Sequence, residues 1–107
     1  MPKINAEKIL YEVVVDVAPD ARARYLEWLQ LHMKTMLRLD GFEAATLFVD
    51  AKNPNLFTRH YVVRDMAAME AYLDGPAAEM RADGVRWFGD KISARRRILI
   101  RMSSPSA

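Results

Sequence analysis

The chain has 107 residues, of which 51% are hydrophobic and 28% charged, with a formal net charge of +2. This length predicts one globular domain over residues 1–107. The absence of cysteine excludes disulfides, thiol catalysis and thiolate-bound metals.

The small net charge is not typical of a nucleic-acid-binding protein. The polar start has no apolar core of signal-peptide length, and no run approaches the roughly 20 apolar residues of a membrane span. We therefore expect a cytoplasmic protein with neither nucleic acid nor membrane as a partner.

Lys8 to Val17 alternates in the period of a strand, but both alternating sets contain large apolar residues, which is unusual for a strand with one face in water. Pro19 and Asp20 then begin a predicted helix from Ala21 to about residue 39. An advance of about 100° per residue gives this helix one broad inward face. Its members are Tyr25, Trp28, Leu29, His32, Met33, Met36 and Leu37.

Two further strands, over residues 42–51 and 56–64, are predicted on either side of a polar turn. Asp65 is a good N-cap for a second helix, whose expected inward residues are Met66, Met69, Tyr72 and Leu73.

Glycines mark the predicted helix ends in the remaining part of the chain. Gly75 and Pro76 interrupt the second helix, and one or two further helical turns are expected to end at Gly84. A connector over 85–90 and a last strand over 91–102 follow. The ordered core is thus expected over 8–102, with a frayed tail over 103–107.

The predicted order is strand, helix, strand, strand, helix, strand. This is the α+β, ferredoxin-like βαββαβ sandwich, a four-stranded antiparallel sheet with the helices on one face. Because two helices cover only one face, the apolar residues of the other face predict a homodimer through the open sheet face.

Short motifs along most of the chain resemble the bacterial family called domain of unknown function 4286, within the dimeric α/β-barrel superfamily. The matching residues are Tyr11-Glu12-Val13, Trp28-Leu29, His32, Met36-Leu37, Gly41-Phe42, Leu47-Phe48, Tyr61, Arg64-Asp65, Tyr72-Leu73, Met80 to Gly84, Phe88-Gly89-Asp90, Ala94 and Arg96-Arg97. The resemblance implies the fold and a place for a ligand between sheet and helices. The wider superfamily includes cofactor-independent monooxygenases, haem-degrading enzymes and binders of small aromatic ligands.

His32 is the best candidate for a catalytic residue, because the helical projection places it beside Trp28 on the apolar side. A histidine at the edge of the core, bonded only to backbone or water, is the structural alternative. Aromatic side chains that could line a pocket for a flat organic ligand are Tyr25, Trp28, Tyr61, Tyr72, Trp87 and Phe88. Of these, Trp28, Tyr61, Trp87 and Phe88 are predicted, with His32, to bind the ligand. The same residues would equally serve as plain core.

His60 lies in the middle of a predicted strand, so it and Tyr61 face opposite sides of the sheet. With two histidines and no nearby carboxylate at ligand spacing, the sequence predicts no metal site. It also lacks the glycine patterns of nucleotide cofactors. We expect no cofactor, although a haem held by one axial histidine is left open.

The last strand is rich in arginine. Arg95, Arg97 and Arg101 share one face, and Arg96 lies on the other with the isoleucines. If this strand pairs with the first, Glu12 and Asp16 would oppose the arginines of their face. Such a ladder would fix the strand register, or the arginines would bind an anionic ligand.

Two functions are compatible with these features. The first is a small-molecule-binding homodimer, with a small aromatic or carboxylate ligand and cofactor-independent monooxygenase-like activity as a refinement. The alternative is a non-catalytic dimeric interaction module whose pocket is filled by side chains.

Overall fold

The computed structural model describes residues 8–107. The polar start, Met1 to Lys8, lies outside the described part except for Lys8. Four strands and three helices follow one another, with short 3₁₀ turns at Pro19–Ala21 and Gly89–Lys91. They are β1 (Ile9–Val17), α1 (Arg22–Met36), β2 (Phe42–Val49), β3 (Leu56–Val63), α2 (Met66–Asp74), α3 (Ala77–Phe88) and β4 (Ile92–Ile100).

The strands form one antiparallel sheet in the order β2-β3-β1-β4. This order and the strand-helix alternation confirm the predicted ferredoxin-like fold. β1 and β3 are the central strands, and each is hydrogen-bonded on both sides. Asp65 caps α2 as expected, because its side chain accepts a hydrogen bond from the Ala68 amide at 2.9 Å.

The central strands present every second residue to the helices. The buried side chains of this helix-covered face are Ile9, Tyr11, Val13, Val15 and Val17 in β1, and Phe57, Arg59, Tyr61 and Val63 in β3. On the opposite face, which we call the open face, the corresponding β3 side chains are only partly buried. Two aromatic clusters pack under the helices. Tyr11, Phe42, Tyr61 and Tyr72 form one, and Tyr25, Trp28, Phe57 and Phe88 form the other.

The predicted helix end at Gly84 and the predicted connector over 85–90 are wrong. Helix α3 continues through Gly84 to Phe88 and ends where Gly89 takes a positive φ of 53°. An interior glycine costs a helix only about 1 kcal/mol relative to alanine. Gly84 is buried, so tertiary packing offsets that small cost. A Cβ at this position would lie 3.4 Å from Cη2 of Trp28, in ordinary van der Waals contact, which places the indole directly against α3.

Two leucines that the sequence predicts to face inward are more exposed than expected. Helix α1 ends at Met36 rather than near residue 39, and the amide of Leu39 bonds to the Met36 carbonyl in a tight turn. The amide of Leu37 still bonds to the Met33 carbonyl as in a helix, so Leu37 lies about 100° around the axis from the buried Met36 and is 39% exposed. Leu73, in the last turn of α2, is 38% exposed.

Gly41, in the turn between α1 and β2, is expected to be the least replaceable glycine. Its φ is +85°, and a Cβ there would lie 2.4 Å from the Cβ of Ala68. Gly89 also has a positive φ, but no atom lies within 4 Å of the position of its Cβ. Backbone strain alone costs about 1–3 kcal/mol, so Gly41→Ala should lower the free energy of unfolding by more than Gly89→Ala does. Urea unfolding at fixed protein concentration measures both losses, and equal losses would contradict the steric argument.

Candidate functional site

A cavity of about 220 Å³ lies between the sheet and helices α1 and α3. Strands β1, β3 and β4 form its floor. Half of the residues that line the cavity are aromatic or basic, and the other half are aliphatic residues or glycines. The aromatic and basic ones are Tyr11, Tyr25, Trp28, His32, Arg59, Tyr61, Tyr72, Arg81 and Arg96. Both aromatic clusters contribute, so the cavity occupies the region where the two clusters meet.

Trp28 and His32 form one wall together. They are one helical turn apart on α1, and their rings stack with centroids 4.5 Å apart and planes 19° apart. Trp28 Nε1 donates a hydrogen bond to Asp83 Oδ2 of α3 at 3.0 Å, which fixes the indole. Burial, helped by the positive charge of Arg59, lowers the pKa of His32 to about 4. The imidazole is therefore neutral at neutral pH and offers one acceptor nitrogen.

The tyrosine hydroxyls of the cavity differ in their partners. Tyr11 accepts a hydrogen bond from Arg81 Nη2, and Tyr61 accepts one from Arg59 Nη1, each at 3.2 Å. The hydroxyl of Tyr25 is buried and has no partner among the described residues. Burial raises the pKa of Tyr25 and of Tyr61, so both phenols remain protonated and can donate a hydrogen bond.

The structure brings three of the predicted site residues, Trp28, His32 and Tyr61, to the cavity. Phe88 lies behind its wall, with ring centroids 5.5 Å from Tyr25 and 5.6 Å from Trp28 in edge-on contacts. Trp87 is 64% exposed and is not among the residues that line this cavity. Whether these residues contact a ligand stays a prediction.

Arg59 is the site residue that the sequence reasoning missed. It lies between Phe57 and Tyr61 on the helix-covered face, so its guanidinium points toward α1 and α3 rather than into solvent. The alternation of Phe57, Arg59, Tyr61 and Val63 was a signal that could have identified it, because one member of an otherwise apolar set is charged.

The open face carries its own polar group. Glu12 accepts hydrogen bonds from Arg97 Nε at 2.6 Å and from His60 Nε2 at 2.9 Å, taking the imidazole nitrogen as the donor. These two bonds, that of Arg97 first, lower the pKa of Glu12. The predicted opposition of Glu12 to an arginine is thus confirmed, whereas Asp16 lies opposite Ser93. His60 and Tyr61 point to opposite faces, as predicted, so His60 lies outside the cavity.

Within residues 8–107, no group of three histidine, aspartate or glutamate side chains is arranged to hold a metal ion. No helix in the same range is both long and apolar enough to cross a membrane.

The sequence profile of one family, described as domain of unknown function (DUF4286), matches residues 8–102. The chain belongs to this family. No curated protein matches the chain.

Several solved structures share the fold. A single-residue variant of SnoaB, a cofactor-independent oxygenase from Streptomyces nogalater, is 16% identical with a TM-score of 0.73, covering 94% of this chain and 96% of its own. PA3566 from Pseudomonas aeruginosa is also 16% identical, with a TM-score of 0.71 and coverages of 94% and 100%. A Nitrosomonas europaea protein assigned provisionally to the antibiotic biosynthesis monooxygenases is 16% identical, with a TM-score of 0.68 and coverages of 92% and 92%. The DUF4286 chain therefore shares the fold of these proteins, a four-stranded antiparallel sheet packed against helices.

The lowered pKa of His32 predicts a pH-dependent stability. The unfolded chain protonates His32 near pH 6.5 and the folded chain near pH 4, so the unfolded state binds more protons between these values. The free energy of unfolding should therefore fall as pH is lowered from about 6.5 to about 4, by an amount on the order of 1–3 kcal/mol. Urea unfolding at constant protein concentration across this range measures the loss. His32→Gln should remove this part of the slope; an unchanged slope would show that other groups cause it.

Proposed function

We propose that the DUF4286 chain is a homodimer that binds a small, flat organic molecule in the cavity between sheet and helices and oxidises it without a cofactor. One observation supports ligand binding most directly: an aromatic cavity of about 220 Å³ walled by the stacked Trp28 and His32. Pockets for drug-sized ligands usually measure about 300–1,000 Å³. The smaller volume favours a ligand of one or two aromatic rings.

The open face supports the homodimer. Partly buried apolar side chains surround the Glu12 group on this face; they are Leu10, Val14, Val62 and Leu99. Phe48 adds a ring that is 47% exposed and lies 5.1 Å from the ring of His60. Because Glu12 already accepts bonds from Arg97 and His60, its charge is partnered before a second chain covers the face, which reduces the cost of burial.

The fold shared with SnoaB, a cofactor-independent oxygenase, supports oxygenase chemistry. In such a reaction a phenolic ring is itself the reductant. Dioxygen inserts one oxygen atom into a ring C–H bond, the second atom leaves as water, and the ring loses four electrons to become a quinone. The neutral imidazole of His32 would accept a hydrogen bond from the phenolic hydroxyl, and Trp28 would stack against the ring.

The alternative, a non-catalytic dimeric module, requires side chains that fill the space between sheet and helices. In this structure that space is a cavity, between Arg59 on its floor and Trp28 on its wall, and side chains do not fill it. This favours the ligand-binding function.

The homodimer predicts an oligomeric state that depends on the open face. The wild-type chain should sediment as a dimer at about 20 µM, and Leu99→Glu should shift it toward the monomer, because an unpaired charge would be buried at the interface. Leu31→Glu is the matched control, since Leu31 is 66% exposed on the helix side and should leave the dimer intact. Analytical ultracentrifugation makes the comparison. A folded wild-type monomer at this concentration would contradict the proposal.

The oxygenase activity predicts oxygen uptake with the probes 1-naphthol and anthrone. An oxygen electrode should record one O₂ consumed for each quinone formed, without added metal, flavin or haem. His32→Gln should lower kcat by about 10²-fold, whereas His60→Gln, the same substitution on the opposite face, should leave kcat near the wild-type value. If both probes bind and neither consumes oxygen, ligand binding is retained and the oxygenase activity is rejected.

A further inference from the structure

We propose that Arg59 is the centre of an anion-recognition site in the cavity, and that the ligand is an aromatic molecule carrying a carboxylate. This inference rests on the proposed function, since it names the class of molecule that the cavity binds. It is carried by the burial of Arg59, by the residues that flank it, and by the composition of the cavity lining.

The guanidinium of Arg59 is buried without a negative partner. The residue is 6% exposed, and its one hydrogen bond among the described residues goes from Nη1 to the Tyr61 hydroxyl. The Nε atom is buried with no acceptor. A guanidinium has five N–H donors, and a buried charge that is not paired carries a large desolvation cost. Such a group is expected where a carboxylate binds from outside the chain.

The strand register places a second arginine on the same floor. Val13 of β1 lies opposite Arg59 of β3 on one side and opposite Arg96 of β4 on the other. All three residues belong to the helix-covered face, and adjacent strands are about 4.8 Å apart. Both arginines line the cavity. Arg59 is buried beneath the helices, whereas Arg96, on the edge strand, is exposed. Among the described residues Arg96, like Arg59, forms no ion pair with a carboxylate.

No acidic side chain in the cavity lining balances the positive charge of the arginines. None of the described residues that line the cavity is aspartate or glutamate, while Arg59, Arg81 and Arg96 all contribute. Asp83 lies nearby, but its carboxylate already accepts bonds from Trp28 Nε1 and from Arg86. At His32, the charges of Arg59 and Arg96 disfavour the protonated imidazole, and that of Asp83 favours it. The ionised side chains that line the cavity itself are all positive, and an anion would neutralise them.

Tyr25 supplies a second donor that has no partner within the chain. Its hydroxyl is buried, stays protonated and lines the same cavity as Arg59. A carboxylate has two oxygens, so it can accept from the Arg59 guanidinium and from a phenol together. The Trp28 indole would then contact the ring of the ligand. This division assigns the anionic group to the floor and the aromatic group to the α1 wall.

The test compares acids with their neutral amides in a chain whose fluorescence reports on the cavity. The protein has two tryptophans, so Trp87→Phe leaves Trp28 as the single emitter. Benzoate, 4-hydroxybenzoate and 2-naphthoate are each titrated against the corresponding primary amide at pH 7.5, where His32 is neutral. We expect each acid to bind about 10- to 100-fold more tightly than its amide, the range for a hydrogen bond to a charged group.

Substitution of Arg59 provides the second arm. Arg59→Met should abolish the preference for the acids while leaving the affinity for the amides within a few-fold. Arg59→Lys keeps the positive charge but loses the planar, bidentate guanidinium, so this variant should retain only part of the preference for acids. Arg38→Met, which removes an exposed arginine of the α1–β2 turn, is the matched control and should keep the full preference.

The wild-type comparison alone decides the inference, even if Arg59→Met fails to fold. Equal affinities for acids and amides would overturn the anion site and leave the proposed aromatic-binding function standing. No binding of either set would overturn both. A preference for acids that persists in folded Arg59→Met would also contradict the inference, because the selectivity would then come from other groups.

Discussion

The register of the two central strands is the constraint on which the rest of the structure depends. Side chains alternate between the faces of a strand, so a slip of one residue would exchange every inward and outward side chain of β3. In the observed register Arg59 lies opposite Val13 on the helix-covered face, while His60 lies opposite Glu12 on the open face. A shifted register would place the imidazole under the helices and the guanidinium outside. The chemistry of both faces is therefore fixed by the same ladder of hydrogen bonds.

A buried guanidinium in this layer opposes stability. An apolar side chain at position 59 would pack beside Phe57 and Tyr61 without a charge to desolvate. The chain tolerates the arginine because large apolar side chains surround it on the same face, and their burial favours folding by about 1.5–3 kcal/mol each. Residues that bind ligands commonly reduce the stability of the unliganded protein in this way. The proposed anion site would explain why the chain retains a buried arginine at this local cost.

Much of the fold could be predicted from local patterns. Period-two alternation in β1 and the Asp65 cap of α2 are strong local signals, and the order of elements permits few topologies. Local reasoning failed at Gly84, where contact with Trp28 outweighs a weak helix-breaking tendency. That error also affected the site: with α3 continuing to Phe88, the helical period turns Phe88 inward and leaves Trp87 exposed.

The cavity was harder to predict than the fold because it is defined by residues that are distant in sequence. Trp28 and His32 could be found, since they are one turn apart on a single helix. For Arg59 the signal is weaker: it shares a strand face with Phe57 and Tyr61, but a charged residue in a strand is ordinarily assigned to solvent. Only the pairing of three strands reveals that Arg59 and Arg96 lie on either side of Val13.

The contact between Gly84 and Trp28 has a consequence for how this family varies. A methyl group at position 84 would approach the indole to 3.4 Å, and it would also meet Ile92 Cδ1 at 3.8 Å. Alanine would therefore fit at position 84 in ordinary contact, whereas a residue larger than alanine fits only if the side chain at 28 is smaller or turned away. The sizes of these two residues should change together among homologous chains, and each combination would set a different width for the opening between α1 and α3. One exchange of volume between two helices would thus change the size of the cavity without any change in the sheet.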